Sequence, residues 1–287
     1  MIAITGANGQ LGRLVIQQLI ARGLPATQIV AAVRSPAKAA DLAALGVQLR
    51  EADYNRPDTL AGAFGGVQRL LLISSSEIGQ RLPQHRAVVD AARAAGVAQL
   101  VYTSLLHADS SPLGLAAEHR ATEQLIADAG LRHVLLRNGW YTENYLASIA
   151  PALQHGAFIG SAGQGRIASA TRADYAEAAA VVLTQPIGAD RVLELAGDSA
   201  YTLAELAAEL SRQSGKALPY VDLPQAEFEA ALTGAGLPAP LAALLADSDA
   251  GAARGGLFDA GRALSTLIGR PSTPLAQAMA QALAALG

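Results

Sequence analysis

Three glycines near the start of the chain have the spacing of a phosphate-binding loop. The run Gly6-Ala-Asn-Gly-Gln-Leu-Gly12 follows a short apolar segment, Ile2–Thr5, and precedes a helical pattern. A pyrophosphate binds backbone N–H groups at a helix N-terminus, provided that no side chain blocks its approach. Gly6 would allow the tight turn, Gly9 the close approach of the phosphates, and Gly12 the packing of helix on sheet. The spacing predicts a dinucleotide site, and a glycine-rich turn without a ligand is the alternative.

Two cations follow the second predicted strand, at the position where an acid would indicate NAD. In that case an Asp or Glu bonds the 2′-hydroxyl of the adenosine ribose. Here the strand ends Ala32-Val-Arg-Ser-Pro36, and Lys38 lies further along the chain. The guanidinium of Arg34 can hold a 2′-phosphate through two hydrogen bonds. The sequence therefore favours NADPH over NADH, and a solvated basic helix start is the alternative.

Polar side chains also follow the later predicted strands. Ser74, Ser75 and Ser76 follow the fourth strand, and a cluster from Asn138 to Asn144 follows the sixth. Ligands of open α/β sheets bind beyond the carboxyl ends of the strands. We therefore expect the serines beside the ribose and phosphates, and the later cluster beside the nicotinamide. Ordinary loop serines, and a helix N-cap at Asn138 with core aromatics, are the alternatives.

The Tyr-x-x-x-Lys pair of ordinary short-chain dehydrogenases is absent, because neither Lys38 nor Lys216 stands four residues after a tyrosine. Alcohol–ketone interconversion by that relay is therefore largely excluded. A quinone acceptor fits what remains. Its reduced anion is far less basic than an alkoxide, so that water can protonate it.

Histidine is the remaining candidate proton donor. His119 shares a predicted helix face with Glu123 at i, i+4, and His107 lies before that helix. His119 is thus the candidate acid, and an ordinary solvated histidine is the alternative. No pair of histidines has metal-ligand spacing with a carboxylate, so no metal is expected. The other histidines are expected at the surface or at helix ends: His85, His133 and His155.

Apolar runs with strand character alternate with helical patterns over residues 1–137. The predicted strands are Ile2–Thr5, Ile29–Val33, Val47–Arg50, Leu70–Ser74, Leu100–Thr103 and Val134–Arg137. The predicted helices between them are Gln10–Ala21, Pro36–Leu45, Pro57–Phe64, Gln80–Ala95 and Leu115–Ala129. This alternation predicts an α/β fold with a Rossmann-type, doubly wound parallel sheet, because a parallel crossover is long enough to hold a helix.

The alternation loosens after residue 138. We predict a dinucleotide-binding lobe over residues 1–137, with segments near 166–198 returning to it, and a smaller, mainly helical substrate lobe over most of 138–287. Thr202–Glu205 has the spacing of a capping box and opens a helix that ends near Gly215. The other predicted elements are a strand at Val192–Leu195 and helices at Tyr175–Leu183, Pro224–Leu232, Pro240–Ala246 and Pro274–Leu286.

The composition narrows the classes of function. The chain has 287 residues and no cysteine, which excludes a disulfide framework, a thiolate metal site and a cysteine nucleophile. Its formal net charge of −3, without a basic block, argues against a nucleic-acid partner. No apolar run reaches the roughly 18–20 residues that span a bilayer, and the first residues lack the pattern of a signal peptide. The cytoplasm is therefore the expected compartment.

Longer runs of residues carry a resemblance to a known family: Met1–Gly12, Leu71–Glu77, Tyr102–Asp109, Leu136–Tyr145 and Ile167–Tyr175. They resemble the bacterial type-2 NAD(P)H:quinone oxidoreductases, which are NmrA-like, atypical members of the short-chain dehydrogenase superfamily. The match runs end to end and includes Asp247–Gly251 and Arg254–Asp259. The glycine loop is generic to the superfamily, whereas the runs Ser74–Ser76 and Arg137–Tyr141 are more specific.

The resemblance implies an enzyme that uses NADPH to reduce quinones by direct hydride transfer, without flavin or metal. Tyr141 would help to place the nicotinamide and the substrate, and His119 or water would supply the proton. Plant-type relatives carry a lysine where this chain has His119, so a lysine-dependent mechanism is not carried over. The resemblance implies cofactor contacts by Gly6, Ala7, Asn8, Gly9, Gln10, Leu11, Arg34, Ser74, Ser75, Ser76, Asn138, Gly139, Trp140, Tyr141, Thr142, Glu143 and Arg172.

Two rival functions share the same cofactor site. One is a redox sensor that binds NADP(H) without turnover and reports to a partner protein. The other is a reductase of another conjugated carbonyl compound. The sequence leaves open the physiological quinone and the oligomeric state, including a homodimer.

Overall fold

The computed structural model describes residues 1–77 and 79–286, and strands alternate with helices over residues 2–138. The strands are β1 (Ile2–Ile4), β2 (Ile29–Val33), β3 (Gln48–Glu51), β4 (Arg69–Leu72), β5 (Gln99–Leu105), β6 (His133–Asn138), β7 (Phe158–Gly160), β8 (Arg191–Leu195) and β9 (Tyr220–Asp222). The helices are α1 (Gln10–Ala21), α2 (Ala40–Ala44), α3 (Pro57–Phe64), α4 (Arg81–Ala94), α5 (Ala116–Asp128), α6 (Thr142–Leu146), α7 (Ile149–His155), α8 (Arg172–Thr184), α9 (Leu203–Ser214), α10 (Gln225–Gly234), α11 (Ala239–Ala253), α12 (Ala263–Ile268) and α13 (Leu275–Ala284).

The larger sheet has the strand order β3-β2-β1-β4-β5-β6-β8. The pairs β1–β2, β1–β4, β2–β3, β4–β5 and β5–β6 are parallel. The chain order reverses between the neighbouring strands β1 and β4. Doubly wound sheets bind nucleotides at the carboxyl ends of the strands where this reversal occurs. The Rossmann-type sheet predicted from the sequence is confirmed.

Both faces of this sheet are covered, as a parallel sheet requires. Successive strand residues point to opposite faces. On one face, Val30, Leu70 and Leu100 belong to a buried cluster with Phe64 of α3 and Val88 of α4. Residues that point the other way are equally buried, as Ile4 of β1 and Leu71 of β4 show. Because both faces of the sheet are packed, its strands are held in place, and the loops at the strand ends have fixed positions.

The chain divides into two compact units. The first comprises Met1–Leu105, Ala117–Asn138 and Arg172–Leu193. The second comprises Leu106–Ala116, Gly139–Thr171 and the chain from Glu194 onward. The segment that returns to the first unit is therefore Arg172–Leu193, where the sequence led us to expect residues near 166–198. Within the second unit, β7 and β9 pair in parallel.

The predicted helix ends agree with the structure where capping residues or a glycine mark them. The capping box at Thr202 is present, with both reciprocal hydrogen bonds to Glu205, and α9 ends at Gly215 with a φ of 69°. The predicted single helix Pro36–Leu45 is wrong. Ala39 has a φ of −125° and a ψ of 29°, which separates a 3-10 turn at Pro36–Lys38 from α2. The short elements β7, β9, α6, α7 and α12 were not predicted.

Candidate functional site

The loop between β1 and α1 brings the three predicted glycines together. Gly6 has a φ of 59°, in the left-handed region that glycine adopts without strain. The N–H of Gly9 donates to the carbonyl oxygen of Gly6 at 2.9 Å and closes the turn. A Cβ on Gly12 would lie 2.6 Å from the oxygen of Gly6 and 2.7 Å from the Cα of Ala7. The turn and the close packing predicted for Gly6 and Gly12 therefore both depend on glycine.

The N-terminus of α1 is open to an anion. Gly9 is its N-cap residue, no side chain among the described residues caps it, and its first turn has no acidic residue. The first N–H groups of a helix have no partner within the helix, and they lie at the positive end of its dipole. The loop and helix therefore fit the pyrophosphate of a dinucleotide.

Arg34 follows β2, and its side chain is 72% exposed. Its Nη1 donates to Oε1 of Glu77 at 3.0 Å. An exposed ion pair of this kind contributes about 0–1 kcal/mol. The guanidinium can therefore exchange Glu77 for a phosphate at little cost, as the prediction of a 2′-phosphate contact requires. Lys38, the second predicted cation, ends the 3-10 turn and is exposed.

Arg13 is a cation of the site that the sequence reasoning missed. Its Nε donates to the carbonyl oxygen of Asn8 at 3.0 Å, and its Nη2 donates to Oδ1 of the same residue. Arg13 also forms an ion pair with Asp41. These contacts hold Asn8 within the glycine loop. The only signal was its place directly after Gly12, and the sequence does not show which way an arginine in a first helical turn points.

The serine loop, Ser74–Ser76, follows β4 next to the glycine loop. The N–H of Ile73, the residue before it, donates to Oγ1 of Thr5 in the neighbouring chain segment at 3.1 Å. The N–H of Ser74 donates to Oγ1 of Thr103 at 2.9 Å, and Ser76 is exposed. The serine loop and the glycine loop therefore meet at the carboxyl ends of β4 and β1.

Ser75 is held by the beginning of α4 through all three of its polar groups. Its carbonyl oxygen accepts from Nε of Arg81 at 2.9 Å, and its N–H donates to Nε2 of His85 at 3.0 Å. Its hydroxyl donates to Oε1 of Gln84. The three partners are buried, with Arg81 5%, Gln84 3% and His85 0% exposed. The expected position of His85 at the surface is therefore wrong, because this polar face of α4 packs against the serine loop.

His119 of α5 is buried, and its Nδ1 lies 2.7 Å from Oη of Tyr102. Burial, reinforced by the charge of Arg81 and by His85, lowers the pKa of His119 well below its ordinary value. The ring is therefore uncharged near neutral pH. Glu123, on the same helix face, binds Arg137 through Nε at 2.9 Å and Nη2 at 2.6 Å. This placement gives no support to the prediction that His119 supplies a proton.

Asn138 ends β6 and is 4% exposed. Its Oδ1 has no hydrogen-bond partner among the residues that the structure describes. A buried acceptor without a partner costs about 1–3 kcal/mol. Sheets of this kind bind ligands at the carboxyl ends of their strands. A bound ligand could therefore donate the hydrogen bond that Oδ1 of Asn138 lacks.

His107, the other histidine near α5, belongs to the second unit. It has a φ of 52°, which is uncommon for a residue with a side chain. Its N–H donates to Oε2 of Glu194 at 2.8 Å, and its Nε2 lies 3.1 Å from Oδ2 of Asp259. Across the described residues, no group of three or more histidine and carboxylate side chains is arranged to hold a metal ion.

The remaining predicted residues, Gly139 to Glu143 and Arg172, follow Asn138 or begin α8. Trp140 is buried, and its carbonyl oxygen accepts from the N–H of Ala170 at 3.1 Å. Tyr141 is the N-cap residue of α6, and Oγ1 of Thr142 lies 2.8 Å from Oγ of Ser169. Arg172 is the first residue of α8 and is half-buried. Their contact with a cofactor stays a prediction.

Comparison with known proteins identifies the family of this chain. The NAD(P)H-binding family matches residues 6–186. Quinone oxidoreductase 2 of Escherichia coli (strain K12) is 61% identical over 279 residues, which are 97% of this chain and 97% of that protein. A crystal structure of an NADPH-dependent quinone oxidoreductase from Escherichia coli, complexed with NADPH, is 60% identical with a TM-score of 0.96, covering 99% of this chain and 100% of that chain. Citrobacter sp. triphenylmethane reductase complexed with NADP(H) is 39% identical with a TM-score of 0.93, covering 98% of this chain and 100% of that chain. The chain therefore belongs to the NAD(P)H-binding family and, within it, to the NmrA-like bacterial type-2 quinone oxidoreductases that its sequence runs resemble.

Proposed function

We propose that this protein binds NADPH and uses it to reduce quinones by direct hydride transfer, without flavin or metal. The proposal rests on the 61% identity to Quinone oxidoreductase 2 of Escherichia coli over 97% of both chains. The open N-terminus of α1 supports it, because this helix end fits a dinucleotide pyrophosphate.

The cofactor is held at the carboxyl ends of the strands of the first unit. The loop from Gly6 to Leu11 binds the pyrophosphate through backbone N–H groups. Arg34 exchanges Glu77 for the 2′-phosphate, and this contact selects NADPH over NADH. Asn138 accepts a hydrogen bond from the cofactor at the Oδ1 atom that has no partner among the described residues. Cofactor contacts by Gly139, Trp140, Tyr141, Thr142, Glu143 and Arg172 are proposed from the family resemblance alone.

In this proposal the protein accelerates the reaction by positioning the cofactor and the quinone. NADPH, when bound, supplies the hydride that reduces the quinone. The chain's residues contribute by holding the reacting groups close together and in the right orientation. Tyr141 helps to place the nicotinamide and the substrate. We assign the proton to water, because the lowered pKa of His119 leaves it without a second ring proton near neutral pH.

The proposal extends to partners and location. The substrate is a small quinone, and a net charge of −3 gives no reason to expect a nucleic-acid partner. None of the described helices combines the length and the apolarity that a bilayer-crossing segment requires. A cytoplasmic location and a homodimer remain proposals from the sequence, and light scattering after size exclusion measures the oligomeric state.

A panel of acceptors tests the function. Purified protein is mixed with NADPH and with a benzoquinone, a naphthoquinone, a conjugated ketone or a triphenylmethane dye, and the loss of NADPH is followed at 340 nm. We expect turnover with the quinones to exceed that with the other acceptors. Faster turnover of the ketone or the dye would identify a reductase of another class. Tight NADPH binding without turnover of any acceptor would identify the sensor.

A further inference from the structure

We infer that His85 is a positioning residue for NADPH binding: it accepts a hydrogen bond from the N–H of Ser75 and thereby sets the conformation of the serine loop. The inference rests on the proposed function, since it requires that the serine loop contacts the cofactor. No motif in the sequence assigns this role to His85. The contacts that carry it lie entirely within the first unit.

The hydrogen-bond partners of His85 assign its tautomer. Its Nδ1 lies 3.0 Å from Oγ1 of Thr122, and that hydroxyl donates its proton to the carbonyl oxygen of Glu118 at 2.9 Å. The Thr122 oxygen must therefore accept from His85, so that Nδ1 carries the hydrogen. Nε2 is then the acceptor, as its contact with the N–H of Ser75 at 3.0 Å requires. Both ring nitrogens are satisfied only in this neutral form.

The rest of the imidazole ring is enclosed by aromatic side chains. The ring of Tyr102 approaches it edge to face with centroids 5.4 Å apart, and the ring of Tyr54 does so at 6.4 Å. His85 is 0% exposed. Nε2 of His85 is therefore held in a fixed position, where it accepts the hydrogen bond from the serine loop.

This arrangement changes the role of Ser75 among the predicted cofactor residues. All three of its polar groups bind the beginning of α4, so its hydroxyl does not face the cofactor. Gln84, which binds that hydroxyl, also donates through Nε2 to Oε2 of Glu77 at 2.6 Å. The other oxygen of Glu77 accepts from Arg34. Ser75 thus anchors the loop, and Ser74 and Ser76 remain to contact the cofactor.

Two substitutions at the same position separate positioning from simple packing. In His85→Gln, the side-chain oxygen reaches the place of Nε2 and can still accept from Ser75. In His85→Asn, the shorter amide reaches the place of Nδ1, where it serves Thr122 and leaves Ser75 without a partner. Both variants lose the aromatic contacts with Tyr54 and Tyr102, so each serves as the control for the other.

We expect His85→Asn to raise the Kd and the KM of NADPH about tenfold, the equivalent of one lost hydrogen bond, while kcat and the KM of the quinone stay within about twofold. His85→Gln should keep the Kd within about threefold of the parent protein. Equal Kd values for the two variants, or no change in His85→Asn, would overturn the inference.

A measurement on the unaltered protein covers the case in which the variants do not fold. Nitrogen-15 NMR of the histidine rings distinguishes the two neutral tautomers, and we expect one buried ring with hydrogen on Nδ1 and an accepting Nε2. Hydrogen on Nε2 of His85 would overturn the inference. If the protein binds NADPH but reduces no quinone, the Kd comparison still decides the role of His85, and only the proposed reaction fails.

Discussion

Single residues at the carboxyl ends of the strands carry two kinds of polar group. Ser75 has partners for its N–H, its carbonyl oxygen and its hydroxyl. Oδ1 of Asn138 has none among the described residues. A satisfied group holds the local conformation, whereas a buried unsatisfied one needs an explanation such as a ligand that supplies the missing partner. Both are short polar residues at the end of a strand or just after it, so the sequence alone could not tell them apart.

Asn138→Ala should weaken NADPH binding about five- to tenfold, because the substitution removes an acceptor that has no partner among the described residues and that the proposed cofactor contact would satisfy. The matched control is Gln99→Ala. Gln99 is the first residue of β5 and lies at the amino-terminal end of its strand, whereas Asn138 lies at a carboxyl end. Gln99 is 3% exposed, and its Oε1 also lacks a partner among the described residues. We expect Gln99→Ala to leave the Kd of NADPH unchanged in a fluorescence titration. An equal loss of affinity in both variants would show that the effect is on folding alone.

Arg34→Ala should raise the Kd of NADPH about 10- to 100-fold, since it removes the charge-assisted contact to the 2′-phosphate that we propose for Arg34. The Kd of NADH, which lacks that phosphate, should change little. Arg56→Ala is the control, because Arg56 is 54% exposed and pairs with Glu51 at 2.8 Å, much as Arg34 pairs with Glu77. A parallel loss of NADPH and NADH binding in Arg34→Ala would contradict the assignment.

At the scale of secondary-structure elements, the β1–α1 loop depends on close contact between its backbone segments. Gly12→Ala would place a Cβ 2.6 Å from the oxygen of Gly6. We expect this overpacking to lower the free energy of unfolding by about 1–3 kcal/mol and to weaken NADPH binding together with it. Urea unfolding and NADPH titration measure the two effects.

Gly62→Ala is the control for that substitution, because a Cβ on Gly62 of α3 would meet nothing within 4 Å. Alanine in a helix interior should raise the free energy of unfolding by about 0.5–1 kcal/mol relative to glycine. If Gly12→Ala were as well tolerated as Gly62→Ala, the glycine loop would not have the close contacts described here.

The sequence predicted the elements whose ends are marked by local signals. Helix α1 begins after Gly9 and ends at Ala21, as its glycine and apolar spacing indicate. β7 and β9 were missed because they are only three residues long and form a strand pair across a wide separation in sequence. The burial of His85 was missed for a related reason. Its burial depends on the serine loop packing against α4, and no local pattern in α4 reports that contact.

At the scale of the whole molecule, buried ionisable groups should make stability depend on pH in opposite directions. Burial, with the charge of Arg81, lowers the pKa of His85 to about 3. The unfolded chain takes up that proton below about pH 6.5, so His85 costs stability as the pH falls from there. Burial raises the pKa of Asp249 from 3.8 to about 6. Between pH 3.8 and about pH 6, the carboxyl group of Asp249 is protonated in the folded state and ionised in the unfolded state. Stability therefore falls as the pH rises through this range.

Asp249→Asn should remove the second of these effects. Oδ1 of Asp249 accepts from Oη of Tyr145 at 3.0 Å, and Oδ2 accepts from the N–H of Ser161 at 2.9 Å. As the pH rises from 4 to 7, the free energy of unfolding of the variant should increase by up to about 3 kcal/mol relative to that of the parent protein. The altered hydrogen bonds change the free energy of unfolding by an amount that does not depend on pH. Urea unfolding at several pH values measures the difference. Parallel pH profiles for the two proteins would contradict the raised pKa.

A single-turnover experiment tests whether bound NADPH reduces a quinone directly. The protein, saturated with NADPH and free of added flavin, is mixed with excess quinone without oxygen, while absorbance at 340 nm is recorded. We predict rapid loss of one NADPH for each quinone reduced, and a slower loss when NADH replaces NADPH at the same concentration. An unchanged signal at 340 nm with every quinone, from protein that demonstrably binds NADPH, would contradict direct reduction.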